Sequence, residues 1–89
     1  MHAVIVSVTI SDGEKATNYL RSEIVPTVKQ APGFVAGYWM RIEGGDKGTG
    51  TIVFESEEHA RAAAGRIQQA PGEAVTLDGV DVAEVVEHA

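Results

Sequence analysis

The tetrapeptide Gln-Ala-Pro-Gly occurs twice, at residues 30–33 and 69–72. Each copy follows a run with helical spacing of its apolar residues and precedes a stretch with strand-like residues. Proline removes a backbone donor and glycine permits a positive φ, so the pair stops a helix and releases a turn. Two such stops within 89 residues hint at two halves, each of strand, helix and strand. Four shared residues do not make a repeat, but they punctuate the chain and so order its elements.

In the first half, His2 to Ile10 alternates: Val4, Val6, Val8 and Ile10 share one face, and Ala3, Ile5, Ser7 and Thr9 the other. Ser11-Asp12-Gly13-Glu14 has the form of a capping box, with Ser11 as N-cap and Glu14 reaching back to it. Ala16, Leu20, Ile24 and Val28 then repeat at helical spacing. Pro26 removes one helical hydrogen bond, so the spacing predicts a kinked helix over 12–30, or a helix ending near Val25 plus a turn.

The second half opens on Pro-Gly-Phe-Val-Ala-Gly-Tyr-Trp-Met-Arg, residues 32–41, which holds three of the five aromatic rings. A strand from Phe34 to about Glu43, the loop Gly44 to Gly48 and a return strand from Thr49 to about Glu55 read as an antiparallel hairpin. Ser56 caps a second helix with Glu57 and Glu58 in its first turn, where the helix dipole favours negative charge. Its inner stripe is Ala60, Ala63, Ala64 and Ile67. A last strand is expected from about Val80 to His88, its faces ambiguous because Glu84 falls among Val80, Val82 and Val86.

The order is β-α-β-β-α-β over a single domain, residues 1–89. It defines an α+β, ferredoxin-like fold: a four-stranded antiparallel sheet with both helices on one face. Phe34, Ala36, Tyr38, Met40 and Ile42 form a continuous apolar set, which assigns them to the helix side with Ile52, Phe54 and the strand-one valines. The uncovered side then carries Ala3, Ile5, Ser7, Thr9, Val35, Gly37, Trp39, Arg41, Thr51 and Val53. That set is too apolar to face water, and packing two copies through it is the economical remedy. Size argues the same way, since a chain this short buries only about 60–65% of its unfolded surface.

Thirteen acidic against seven basic residues give a formal charge of −6, and the basic residues are scattered singly. Neither nucleic-acid binding nor attachment to a membrane surface is expected, because both rest on clustered positive charge. No cysteine is present, which removes disulfides and thiolate metal sites. The three histidines, His2, His59 and His88, lack zinc-ligand spacing, so no metal is expected. The N-terminal apolar stretch lacks a basic leader and a cleavage site, which assigns the chain to the cytoplasm.

Ala-Pro-Gly-Phe-Val-Ala-Gly-Tyr-Trp-Met-Arg, a Gly-rich loop, Thr-Gly-Thr-Ile-Val-Phe-Glu-Ser-Glu-Glu-His-Ala-Arg-Ala-Ala-Ala and a closing Val-rich strand resemble the dimeric α/β-barrel superfamily. The likeness is greatest to its antibiotic-biosynthesis-monooxygenase-like branch and covers essentially the whole chain. It rests mainly on Pro-Gly-Phe before strand two and Phe-Glu-Ser-x-Glu-x-Ala before helix two, which are marks of fold more than of chemistry. The resemblance implies a homodimer whose sheets pair into a barrel, with a ligand space beside or between them.

Trp39 can wall a pocket and stack on a planar substrate, or fill a dimer seam. Arg41 can hold a carboxylate or enolate, or pair with Glu43 or Glu55. His59, in a first helical turn that favours neutral imidazole, can act as a general base or stand exposed without function. Ser7 and Thr9 are small hydroxyls on the same sheet face as Trp39, fit to contact a ligand or to pair across strands. The glycines at 44, 45, 48 and 50 fall in the hairpin and open no helix, so they form no nucleotide fingerprint.

Within the resembled branch, these residues imply a cofactor-independent monooxygenase acting on a planar aromatic or polyketide-like molecule. Trp39 and, beside it, Ser7 and Thr9 would bind it, Arg41 would stabilise its anion and His59 would assist proton transfer. The alternative is a homodimer that binds a small apolar molecule, or an accessory or stress protein, without turnover. A related branch degrades haem through an Asn on strand one, a Trp and a helix-two His. Here strand one has Ser7 and Thr9 but no Asn, the Trp lies on strand two and His59 comes early in its helix, so haem is disfavoured and no cofactor is expected.

Overall fold

β1 (His2–Ile10) is the spine of the protein, pairing antiparallel with β3 (Lys47–Phe54) on one side and β4 (Val75–Glu84) on the other. β2 (Phe34–Arg41) completes the hairpin with β3, giving the strand order β2-β3-β1-β4. This is the ferredoxin-like β-α-β-β-α-β arrangement. The computed structural model describes residues 1–69 and 74–89. The second Pro-Gly stop, at 70–72, lies outside the described residues.

The core lies between the sheet and α3 (Glu57–Gln69). Val4, Ile52 and Phe54 on the sheet meet Ala60, Ala63 and Ala64 on the helix, all buried. Three alanines let the helix lie close to the strands. Ser56 caps α3 as its sequence predicts, its Oγ accepting from the His59 N–H at 3.2 Å. One turn in, Arg61 donates twice to Glu57 Oε2, at 2.7 and 2.9 Å.

That hydrogen bond, aided by the guanidinium charge, holds the Glu57 carboxyl below its usual range. Its small stabilising contribution is complete above the ordinary carboxylate pKa and is lost as pH falls through the depressed one. Arg61→Ala should return Glu57 to the ordinary carboxylate range in a side-chain NMR titration. An unchanged midpoint would show that the pair does not persist in solution.

The first helix is built differently. α1 (Gly13–Tyr19), a π-helical turn (Leu20–Ile24) and α2 (Val25–Lys29) follow one another without a break, and none of their residues is fully buried. The wide turn restarts the helix just before Pro26, which then sits in a first turn where a missing N–H costs little. The N-cap is Asp12 rather than Ser11: its Oδ1 accepts from the Lys15 N–H at 3.1 Å. The Ser11 N–H instead donates to the Ala74 carbonyl at 2.8 Å, so the capping box does not form.

Two bulges revise the faces and limits expected from alternation. Phe34 pairs with Phe54, yet Ala36 pairs with the adjacent Val53, so Val35 is an extra residue. Beyond it every β2 side chain changes sides. Trp39 lies opposite Gly50 and Arg41 opposite Gly48, on the face that carries Ile52 and Val6. Trp39 and Arg41 are therefore on the helix side, not the open side. Tyr38 and Met40 are on the open side, at 63% and 51% exposure, rather than in the core. Phe34 alone keeps its expected place, meeting Phe54 edge to face.

The second bulge breaks the β1–β4 register between Ser7 and Val8, leaving Asp78 out of step. It hides the alternation of Val75 and Leu77, which belong to β4, so the strand starts at Val75 and ends at Glu84 instead of running from Val80 to His88. Val80 and Val82 pair with Val6 and Val4 and face the helices, which settles the ambiguous side. Among the described residues no helix is long and apolar enough to cross a membrane.

Candidate functional site

The alanine stripe of α3 and the taller side chains of the first helix give the two halves of the sheet different roofs. Under α3 the packing is closed. Under the first helix a cavity of about 570 Å³ opens between helix and sheet. Its roof is Ala16, Leu20, Ile24 and Val28, and its sheet wall includes Val6, Val8, Trp39 and Ile52. Gly48 and Gly50 lower the floor, since neither projects a side chain into the space. Such a concave and largely apolar site suits a small molecule.

Trp39 spans this floor. A Cβ added to Gly50 would lie 3.0 Å from its Cδ1, and one added to Gly37 would lie 2.7 Å from its Cη2. The pyrrole end of the indole thus covers one glycine and the benzo end the other. Arg41, two residues on, lies at one end of the cavity with its guanidinium against Gly13, where a Cβ would overlap it. Among the described residues the ion pairs are Lys47–Asp78 and Arg61–Glu57, and Arg41 has no carboxylate partner. A guanidinium beside an apolar cavity without a counterion is fit to receive an anionic oxygen.

Trp39 and Arg41 are thus brought together, but the other sequence candidates are elsewhere. His59 stands in the first turn of α3, its Nδ1 2.9 Å from the Ser56 Oγ and its ring over Gly33, whose φ is +77°. It does not line the cavity. Gly33 precedes β2 and Arg41 ends it, so the eight-residue strand separates His59 from Arg41, by roughly 25 Å at strand rise. One small ligand cannot touch both. Ser7 and Thr9 face the open side of the sheet. Ser7 lies across from Thr49, and the Thr9 Oγ1 donates to Asp78 at 2.6 Å and accepts from Lys47 at 2.7 Å.

Sequence reasoning passed over Gly13, Gly37, Gly50 and the roof residues Leu20 and Ile24. Gly50 reads as part of a glycine-rich turn, but it is a buried strand residue directly across from Trp39. Its signal was its parity with Ile52 and Phe54. Among the described residues that line the cavity there is no histidine and no carboxylate. Compared with protein-family models and with curated proteins, the chain matches none. Fold and site together define the chain as a ferredoxin-like α+β domain with an apolar cavity under its first helix.

Proposed function

We propose that this protein is a homodimeric small-molecule-binding domain, paired through its open sheet face and holding a planar, apolar ligand with one anionic oxygen. The observation that carries this reading is the cavity itself, with the Trp39 indole on its floor and, at its end, an Arg41 that has no carboxylate partner among the described residues. The indole supplies a stacking face and the guanidinium fixes the direction of the ligand. The resemblance to antibiotic-biosynthesis-monooxygenase-like proteins accords with it.

Cofactor-independent oxygenation is the second reading, favoured by the same guanidinium, which would stabilise a phenolate or enolate awaiting O2. His59 is too far away to take the proton, and no described lining residue is a histidine or a carboxylate. Turnover on this reading is therefore confined to substrates acidic enough to arrive ionised. Haem gains no support, since no described histidine lines the space.

Trp39 is the only tryptophan, so its fluorescence reports on the cavity directly. Titration with 2-naphthoate should quench it saturably. Arg41→Met should weaken binding about 10- to 100-fold, the worth of one charge-assisted hydrogen bond. Absence of quenching at millimolar ligand would refute the binding reading. Oxygen uptake with bound 1-naphthol at an alkaline pH that ionises it, abolished by Arg41→Met, would establish the second reading, and no uptake would dismiss it.

A further inference from the structure

We infer that Gly37 and Gly50 are specificity-determining positions: they let the Trp39 indole lie down along the sheet, so that the side it turns to the cavity selects flat ligands over puckered ones. The inference rests on the cavity being the binding site.

Glycine inside a strand loses side-chain packing and adds freedom to the unfolded chain, so its presence there calls for a reason. Backbone conformation is not the reason, because among the described residues only Gly33 and Gly44 are glycines with positive φ. Space is. Added Cβ atoms would lie 3.0 and 3.2 Å from Trp39 Cδ1 and Nε1 at Gly50, and 2.7 and 2.9 Å from Cη2 and Cζ3 at Gly37. All four are shorter than an ordinary carbon contact of about 3.5–4.0 Å.

The same distances give the lie of the ring. Cδ1 is the apex of the pyrrole ring and Cη2 and Cζ3 form the benzo end, so contact at both ends sets the long axis of the indole along the sheet. The ring covers both glycines, and its other side is turned to the cavity that it lines. A methyl group at Gly50 would lift the pyrrole end, and one at Gly37 the benzo end. Either tilts the stacking surface towards the roof made by Leu20 and Ile24. A flat ligand loses face-to-face contact on a tilted ring, whereas a puckered one had little to lose.

The test compares 2-naphthoate with decahydro-2-naphthoate, which has the same skeleton and charge but is puckered, by titration calorimetry. The native protein should prefer the flat acid roughly tenfold, the worth of one good aromatic stack. Gly37→Ala and Gly50→Ala should reduce that preference to about twofold or less, with affinity for the saturated acid little changed. Trp39→Leu, which keeps an apolar floor without a flat face, should do the same and serves if an alanine variant does not fold. An unchanged preference in the folded variants, or equal loss of both ligands, would overturn the inference. A native protein that binds both acids equally overturns it alone, while one that binds neither refutes the binding reading as well.

Discussion

Replacing Phe54 with alanine is expected to destabilise the protein by about 3–5 kcal/mol, the usual cost of emptying a buried aromatic site. Phe54 is 1% exposed and sits where the sheet, α3 and the entrance to β2 meet. Its ring is 6.4 Å from Phe34 at 81°, an edge-to-face pair worth about 0.5–1.5 kcal/mol beyond area alone. The neighbours across the gap are Ala60, Ala63 and Ala64, which have no long side chain to swing into the void. The cavity should therefore stay open and the full penalty apply. Small domains have only about 5–15 kcal/mol in total, so the variant should lose a fifth or more of its stability. Urea unfolding followed by circular dichroism measures this. A loss below about 1 kcal/mol would mean that the core collapses around the site, contrary to the packing described.

The parts of the fold that follow from local pattern are legible in the sequence. Element order, the antiparallel hairpin, the alanine stripe of α3 and the two faces of β1 all follow from unbroken periodicity. What alternation does not show is where it breaks. Val35 is apolar and so are its neighbours, so nothing marks it as the extra residue that turns Trp39 and Arg41 over. Asp78 in β4 acts similarly. The cap moved by one residue because Ser11 and Asp12 are equally good acceptors, and the Ser11 N–H found a partner in Ala74, which is remote in sequence.

The candidate site was half legible for the same reason. Trp39 and Arg41 stand out by chemistry and share a face by spacing, and both face the cavity. Placing Ser7 and Thr9 beside them assumed a β2 without a bulge. Joining His59 to them assumed that the first turn of α3 lies near the end of β2, whereas it lies near the beginning. A cavity is a negative feature, made by Gly48 and Gly50 having no side chain and by a helix that stands off. Residue chemistry does not advertise it.

Tyr38→Glu together with Ile5→Glu, which adds like charge beside Asp81 across from Ile5, is the variant expected to change the protein's state most. By strand register Tyr38, Thr51 and Ile5 form one row across the open face, flanked by Ala36, Val53 and Ala3 and by Met40, Thr49 and Ser7. The bulge at Val35 changes which rings stand on this face, yet keeps an aromatic on it: it exchanges one, Trp39, for another, Tyr38. Tyr38 and Met40 are more than half exposed in the single chain, and Ile5 is 36% exposed. With both helices on the other side, only another molecule can cover them. Two-fold packing would present each introduced charge twice, and burying an uncompensated charge costs about 3–5 kcal/mol. The dimer dissociation constant should rise at least about a thousandfold. Sedimentation at micromolar concentration should then give twice the chain mass for the native protein and a single chain mass for the double variant. The native melting temperature should climb with concentration, as it does when assembly stabilises a fold, and the variant's should not. Binding of 2-naphthoate should survive in any variant that remains folded, because the cavity lies on the far side of the sheet. A native protein that sediments as one chain, with a melting temperature independent of concentration, would show that the open face is tolerated in water and that this domain works alone.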